Sequence, residues 1–249
     1  MYINEDNIKS YYKLVDLNNF HCPICSVGIL KCIPEKFTFV QSENSKNTPP
    51  TIEDKDGLFT GVLKCAEEMC NNTVAFVGDY KRTKKIKGGQ QVWIRTYSPL
   101  FFNPPIPIFE LNLFEDSIST ETYDMIGDAF MLFWADTNSC INKIRIALEE
   151  ILTDKGIRKT EINSKRKRIK ISLNKRIELF QEKYPEIGES LMAIKWIGNE
   201  GSHSSEVMSN EAVFSAFKIL EHTLESLYGT TLKEIKSLTK SINKHKRLK

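Results

Sequence analysis

Four of the six cysteines stand in two close pairs, Cys22-Pro-Ile-Cys25 and Cys65-Ala-Glu-Glu-Met-Cys70. A gap of two or four residues lets the chain curl both thiolates inward on one tight turn. Two such turns supply the four soft donors that zinc takes in a tetrahedron. The pairs therefore read as the two knuckles of a zinc ribbon. The rival reading is four ordinary buried thiols, cysteine being among the most buried residue types, but the paired spacing favours metal. A site closed by four thiolates keeps no position open for water, so the Zn2+ expected on Cys22, Cys25, Cys65 and Cys70 is structural and not catalytic. His21 and Cys32 are the reserve ligands.

A second stretch with chemical content is Leu191 to Ser204, LMAIKWIGNEGSHS. Ile187, Leu191 and Ile194 follow helical steps, and Gly198-Asn199 is the pair best able to take the left-handed conformation that ends a helix. Gly201 and His203 come next, before a new helix near Ser209. On this reading Lys195 in the last turn and His203 just beyond it are aimed at one small region, with Asn199 at the stop. Asn199 and His203 also have a plainer use, since an amide and an imidazole can satisfy backbone groups freed at a helix end.

Charge supplies the third feature. The formal charge of +3 is small, but it is unevenly spread: Lys155 to Arg176 holds ten Lys or Arg against one acid, Glu161, whereas Glu110 to Asp136 is acidic. Lys165-Arg166-Lys167-Arg168 forms the centre of the basic segment. It has no apolar periodicity and reads as a loop or exposed helix end, a footprint for RNA or DNA or simply a solvated face. Lys81 to Lys87, KRTKKIK, followed by Gly88-Gly89, reads as a basic loop tip able to touch phosphates, or again a solvated turn.

The elements that must hold these residues change character along the chain. Lys36–Gln41, Leu58–Lys64, Thr73–Val77 and Gln91–Tyr97 are rich in β-branched and aromatic residues and read as strands. The 39 residues between Cys25 and Cys65 exceed what a minimal ribbon needs, and their polar part with Pro49-Pro50 reads as a surface loop. Pro99, Pro104, Pro105 and Pro107 forbid helix, which places a linker from about Ser98 to Asp116. From Ser119 or Thr120, either able to cap, the stripe Tyr123, Ile126, Phe130, Phe133, Thr137, Ile141, Ile144, Leu148 and Ile151 marks long helix with a break near Asp136-Thr137-Asn138. Further helices start at Ser172, at Pro185 and at Ser209, the last with Met208 and Val213 as a hydrophobic staple and Gly229 as its end. The expectation is an α+β chain: a small N-terminal β-rich zinc ribbon (1–97), a proline-rich linker (98–118), a mainly α bundle of four or five helices (119–229) and a basic C-terminal tail (230–249).

No run of eighteen apolar residues appears, and the start MYINEDNIKS lacks an export pattern, so a soluble cytoplasmic protein without membrane contact is expected. A Walker-type glycine loop, a serine nucleophile elbow and a dinucleotide fingerprint are all absent, which argues against nucleotide hydrolysis and organic cofactors.

Arg145-Ile-Ala-Leu-Glu149, Ser172-Leu and Ile194-Lys-Trp-Ile-Gly-Asn-Glu-Gly-Ser-His203, followed by an amphipathic helix, together resemble a domain-of-unknown-function branch of the HEPN superfamily. The resemblance spans roughly Ser98 to Gly229, and it covers a family found in type I restriction subunits and antiviral loci, often behind a cysteine-paired zinc element. It implies a bundle of four or five helices that forms homodimers, in a superfamily with many metal-independent ribonucleases. Their arginine and histidine fall on Lys195 and His203 here, so that an imidazole would move the proton of a 2′-hydroxyl while a cation steadies the phosphate. This chain departs from the nuclease pattern: Lys195 lacks the two-pronged grip of arginine, and the interval to His203 is longer.

Arg145 and Glu149 can pair along one helix face, or Arg145 can cross the bundle toward the turn at Asn199 to His203. Three functions follow. The first is a non-catalytic module of a bacterial defence or restriction system that binds nucleic acid or a partner protein, using Lys165 to Arg168 and Arg145. The second is a metal-independent ribonuclease with His203, Lys195 and Asn199 at a dimer seam. The third is a purely protein-binding structural subunit.

Overall fold

A computed structural model describes residues 20–42, 56–203 and 207–245. The chain is α+β and divides into two compact units, Tyr2–Ile108 with Phe130–Thr137, and Phe109–Ala129 with Asn138–Lys249.

The first unit is built on an antiparallel sheet of β1 (Leu30–Cys32), β2 (Thr38–Gln41), β3 (Gly57–Cys65), β4 (Thr73–Lys87) and β5 (Gln90–Asn103). β1 and β2 lie one after the other along the same edge of β3, which pairs with β4, and β4 pairs with β5. Alternation along β3 sends Phe59, Leu63 and Cys65 inward and Leu58, Thr60 and Lys64 outward, as a period of two requires. The core is aromatic: Phe59, Phe76 and Tyr97 meet edge to face, Phe102 stacks on Phe76, and Phe20 and Trp134 close over Phe102.

Two expectations about this unit need correction. KRTKKIK is no loop tip: Lys81–Lys87 is the outer half of β4, paired residue by residue with Gln90–Thr96, and only Gly88-Gly89 turns the chain, at φ +59° and +82°. The proposed linker from Ser98 also starts inside the sheet. β5 continues to Asn103, and Pro99 is tolerated because β5 is an edge strand and the register shifts opposite it, between Val77 and Gly78. Between and beyond the later prolines, Ile106, Ile108 and Phe109 are fully buried, so proline excluded helix there without excluding packing. The stretch with Pro49-Pro50 lies outside the described residues.

The second unit carries α1 (Thr120–Leu132), α2 (Thr137–Asp154), a hairpin of β6 (Thr160–Ile162) and β7 (Arg168–Lys170), then α3 (Leu173–Gln181), α4 (Pro185–His203), α5 (Asn210–Tyr228) and α6 (Thr230–His245). Hydroxyl caps start three of the helices, with Ser119 accepting from Thr122 N, Ser172 from Lys175 N and Ser209 from Ala212 N. Asp154, at the end of α2, accepts from Ser119 N (3.3 Å) and Thr122 Oγ1 (3.2 Å) and so ties two helix ends together. The apolar stripe reads true here: Ile126, Ile141, Ile144, Leu148 and Ile151 are all fully buried, and so are Ile177, Phe180, Leu191, Ile194, Phe217 and Leu220. Cys140 is core, donating to Ala129 O at 3.1 Å. The basic C-terminal segment is a helix as far as His245.

The helix stop is the main correction. α4 runs without interruption through Gly198 and Asn199 to His203. Glycine stands at 198 because the Arg145 side chain from α2 lies on it: a Cβ there would run into Arg145 Cδ, and Arg145 Nη1 reaches Gly198 O at 3.5 Å. A close helix contact and a helix end leave the same residue in the sequence.

Arg176, counted at first with the basic surface, is fully buried. Its Nη2 donates to Thr153 Oγ1 (2.8 Å) and Ile157 O (3.0 Å), joining α3 to the end of α2, while Nη1 stands 3.9 Å from the Glu149 carboxylate. Burial lowers its pKa and the nearby carboxylates oppose that shift. Arg176→Met keeps the length and removes the charge and both donors, so two acceptors lose their partner; denaturant unfolding should show a loss of about 2–4 kcal/mol. A loss under about 0.5 kcal/mol would mean the clamp does not hold these elements.

Candidate metal centre and basic surfaces

The four paired cysteines converge. The Sγ atoms of Cys22, Cys25, Cys65 and Cys70 all lie within 4.8 Å of one another, Cys22 facing Cys70 and Cys25 facing Cys65 at 3.7 Å each. Their positions follow from the sheet. Cys65 ends β3 opposite Leu30, Cys70 sits on the turn into β4, and Cys22–Cys25 sits on the turn that leads into β1.

Each turn has a residue in the left-handed region directly after its second cysteine, Ser26 (φ 60°) and Asn71 (φ 52°), which reverses the chain around the sulfurs. N–H groups then point at sulfur: Gly28 N to Cys25 (3.3 Å), Glu67 N to Cys65 (3.4 Å) and Asn72 Nδ2 to Cys70 (3.3 Å). These donors orient and stabilise thiolate, the usual outer shell of a metal-binding sulfur set. The four thiols differ in their tendency to ionise. Burial pushes the Cys65 thiol up to about 12 and raises Cys22, while the Asn72 amide pulls Cys70 down to about 6. A cation at the centre would favour the thiolate form of all four and remove that conflict. The reserve ligand Cys32 lies outside the cluster, its thiol pushed up to about 11 by burial.

Gly28, Asn71 and Asn72 belong to this site although spacing rules did not single them out. Gly28 follows the first knuckle in Cys22-Pro-Ile-Cys25-Ser-Val-Gly28, and a Cβ there would collide with Cys65 Sγ. The Asn71-Asn72 pair was a readable signal, since asparagine tolerates the left-handed turn and its amide can reach back to sulfur.

The basic segment from Lys155 to Arg176 sorts into two groups. Six of its ten cations are held within the fold. Lys155 lies over the Tyr228 ring; Arg158, Lys159, Lys170 and Lys175 pair with Glu161, Glu150, Glu149 and Glu178; Arg176 is buried. The other four, Lys165, Arg166, Lys167 and Arg168, are exposed at the β6–β7 hairpin. Asn163 Oδ1 shapes that tip by accepting from Lys165 N (3.0 Å) and Lys167 N (2.9 Å), with Arg166 at φ 58°. The segment expected as a loop or exposed helix end is therefore the turn of a two-stranded hairpin.

Lys195 is buried, its Nζ donating to Asn174 Oδ1 on α3 at 2.9 Å and lying 3.5 Å from the centre of the Trp196 ring. Asn199 is half-buried one turn on. His203 is the last residue of α4, and its side chain lies outside the described residues. Arg145 does cross the bundle, to Gly198, while Glu149 receives Lys170 at 3.1 Å.

Residues 10–105 match a family model described as a domain of unknown function (DUF8608), and residues 128–245 match another domain of unknown function (DUF4145). No curated protein and no solved structure matches the chain. Among the described residues no helix is long and apolar enough to cross a membrane.

Gly28→Val tests the geometry of the centre. The added side chain must displace Cys65 Sγ, so the purified variant should hold metal at least about tenfold more weakly in a chelator competition than wild type. Unchanged retention would show that the two knuckles do not depend on this close approach.

Proposed function

We propose that the chain is a non-catalytic nucleic-acid-binding module stabilised by a structural zinc ion, and, on its resemblance to the HEPN superfamily, that it works as a homodimer in a bacterial defence or restriction system. The observation that carries the binding reading is the division of cations in the helical unit. Six are spent within the fold, and the four at the hairpin tip, Lys165 to Arg168, have no ion-pair partner among the described residues. A rigid turn presenting four unpartnered cations suits phosphate contacts, which need charge and reach more than a shaped pocket.

Zinc is supported by distance as well as ligand type. Four thiolates about 2.3 Å from an ion at the centre of a tetrahedron stand about 3.8 Å apart, and the two facing pairs here stand 3.7 Å apart. All four donors are sulfur and each knuckle is closed by N–H groups, which suits a structural site. Metal analysis of freshly prepared reduced protein should find about one zinc per chain, released on removal of Cys22 and Cys65 together; protein free of metal, or loaded with iron instead, would overturn the assignment.

The ribonuclease reading keeps one supporting observation: an unbroken α4 sets Lys195, Asn199 and His203 at successive turns along one face of the backbone. Against it, the Lys195 ammonium is already engaged, donating to Asn174 and lying over the Trp196 ring. Total RNA incubated with wild type in chelator should stay intact, and RNA should bind with an affinity that falls with salt and falls again when Lys165 to Arg168 are changed to Gln. Chelator-resistant cleavage lost in His203→Ala would promote the nuclease. Binding indifferent to both salt and the hairpin would favour a protein partner.

A further inference from the structure

Trp196 carries a large aromatic side chain on α4, yet 58% of it is exposed. Its neighbours one turn away on the same helix, Met192, Ala193 and Asn199, are half-buried. Among the described residues of α3 and α4, no other large apolar side chain is exposed. The ring therefore stands alone and is not the centre of an apolar patch, which is the setting of a tryptophan that anchors a protein interface.

The ring is also held still. Lys195 is buried, and its Nζ lies 3.5 Å from the centre of the Trp196 ring while donating to Asn174 Oδ1 at 2.9 Å. Taking an ammonium out of water is costly, and here an amide oxygen and a π face compensate for it. The cation covers one face of the indole, and the exposure of the ring leaves the other face to solvent. A side chain fixed in this way loses little freedom when it binds. Asn174 also ties the ring to the basic hairpin. It stands in the first turn of α3, six residues after Arg168, and six residues span at most about 22 Å. A second tie runs through α2, where Arg145 reaches Gly198 O on α4 and Glu149, one turn on, receives Lys170 of β7. Ring and hairpin thus lie within reach of one short strand.

We infer that Trp196 is a base-stacking platform and that the nucleic acid this chain binds is single-stranded. Exposed cations follow a backbone and an open π face takes an unpaired base, which are the two parts of a single-strand binding surface. In a duplex each base is already stacked on its neighbours and offers only its edges, so a ring face on a helix surface has nothing to stack against. Lys195 is the positioning residue, since it fixes the ring without meeting the strand. The inference deepens the binding function proposed above and rests on it: the hairpin cations ask only for phosphate, and the ring adds the requirement for an unpaired base. Stacking is common to RNA and DNA strands, because every base has a π face.

The full chain is tested by fluorescence anisotropy with labelled single strands of about 12 nucleotides, within the usual site sizes of about 4–16. The strands are RNA, DNA, the matching duplexes, and a phosphodiester strand of equal length without bases. The variants are Trp196→Ala, Trp196→Phe and Lys165 to Arg168 changed to Gln; unchanged circular dichroism and metal content show that they fold. Wild type should bind RNA or DNA single strands more tightly than the duplexes, and the base-free strand at least about fivefold more weakly, the low end of what stacking one base contributes. Trp196→Ala should lose at least about fivefold on the single strands with an unchanged log–log salt slope, because no phosphate contact is removed. Trp196→Phe should recover part of that loss, and the base-free strand should bind wild type and Trp196→Ala alike. Tighter binding of duplex, or an equal loss by Trp196→Ala on the base-free strand, overturns the stacking role. A changed oligomeric state in Trp196→Ala overturns it too and assigns the ring to a protein contact. If Trp196→Ala binds as wild type while the hairpin variant loses affinity, the stacking inference fails and the broader binding function stands. If wild type binds no nucleic acid, both fail.

Discussion

Four sulfurs brought within 4.8 Å of one another are the constraint on which the sheet unit depends. The knuckles sit where β1 begins, β3 ends and β4 begins, so the same contact that gathers Cys22, Cys25, Cys65 and Cys70 fixes the register of three strands. The turns around them are strained toward one purpose. Ser26 and Asn71 accept left-handed conformations, and Gly28 gives up a side chain so that Cys65 can come close. Burial raises the pKa of Cys65, and a cation at the centre would turn a costly cluster into a staple.

From that end the sheet is anchored, and toward the other it becomes progressively less supported. Among the described residues, β4 is flanked by two strands up to Tyr80 and by one beyond it. The aromatic core ends at the same level, where Phe39 meets Tyr80 and Tyr97 and Arg95 lies over Phe39 and Tyr80.

Pattern was legible where a residue's role is local. The paired cysteines, the serine caps at 119, 172 and 209, the break between α1 and α2, the proline at the start of α4 and the apolar stripe of α2 all depend on neighbours within a few positions, and each lies where its spacing placed it. Residues whose role is set across the fold were misread. Gly198 has the signature of a helix stop, but it is a landing site for Arg145 from another helix. Pro99 has the signature of a linker, but an edge strand with a register shift takes it without loss. Lys81–Lys87 looks like a loop because cations are poor strand formers, yet cross-strand partners and a two-glycine turn decide its conformation.

Charge shows most sharply why position outweighs composition. Lys155 to Arg176 is one uniform basic run in sequence, yet its members differ in every physical respect. Arg176 is a buried clamp, Lys155 is an ammonium on a ring, four others are screened by carboxylates, and Lys165 to Arg168 stand in water. Lys195, the residue most suggestive of catalysis by its neighbourhood, is likewise consumed by Asn174 and Trp196. A cation that already has a buried partner must abandon it to meet a phosphate, and the desolvated amide left behind opposes the exchange. Exposed cations such as Lys165 to Arg168 meet no such opposition.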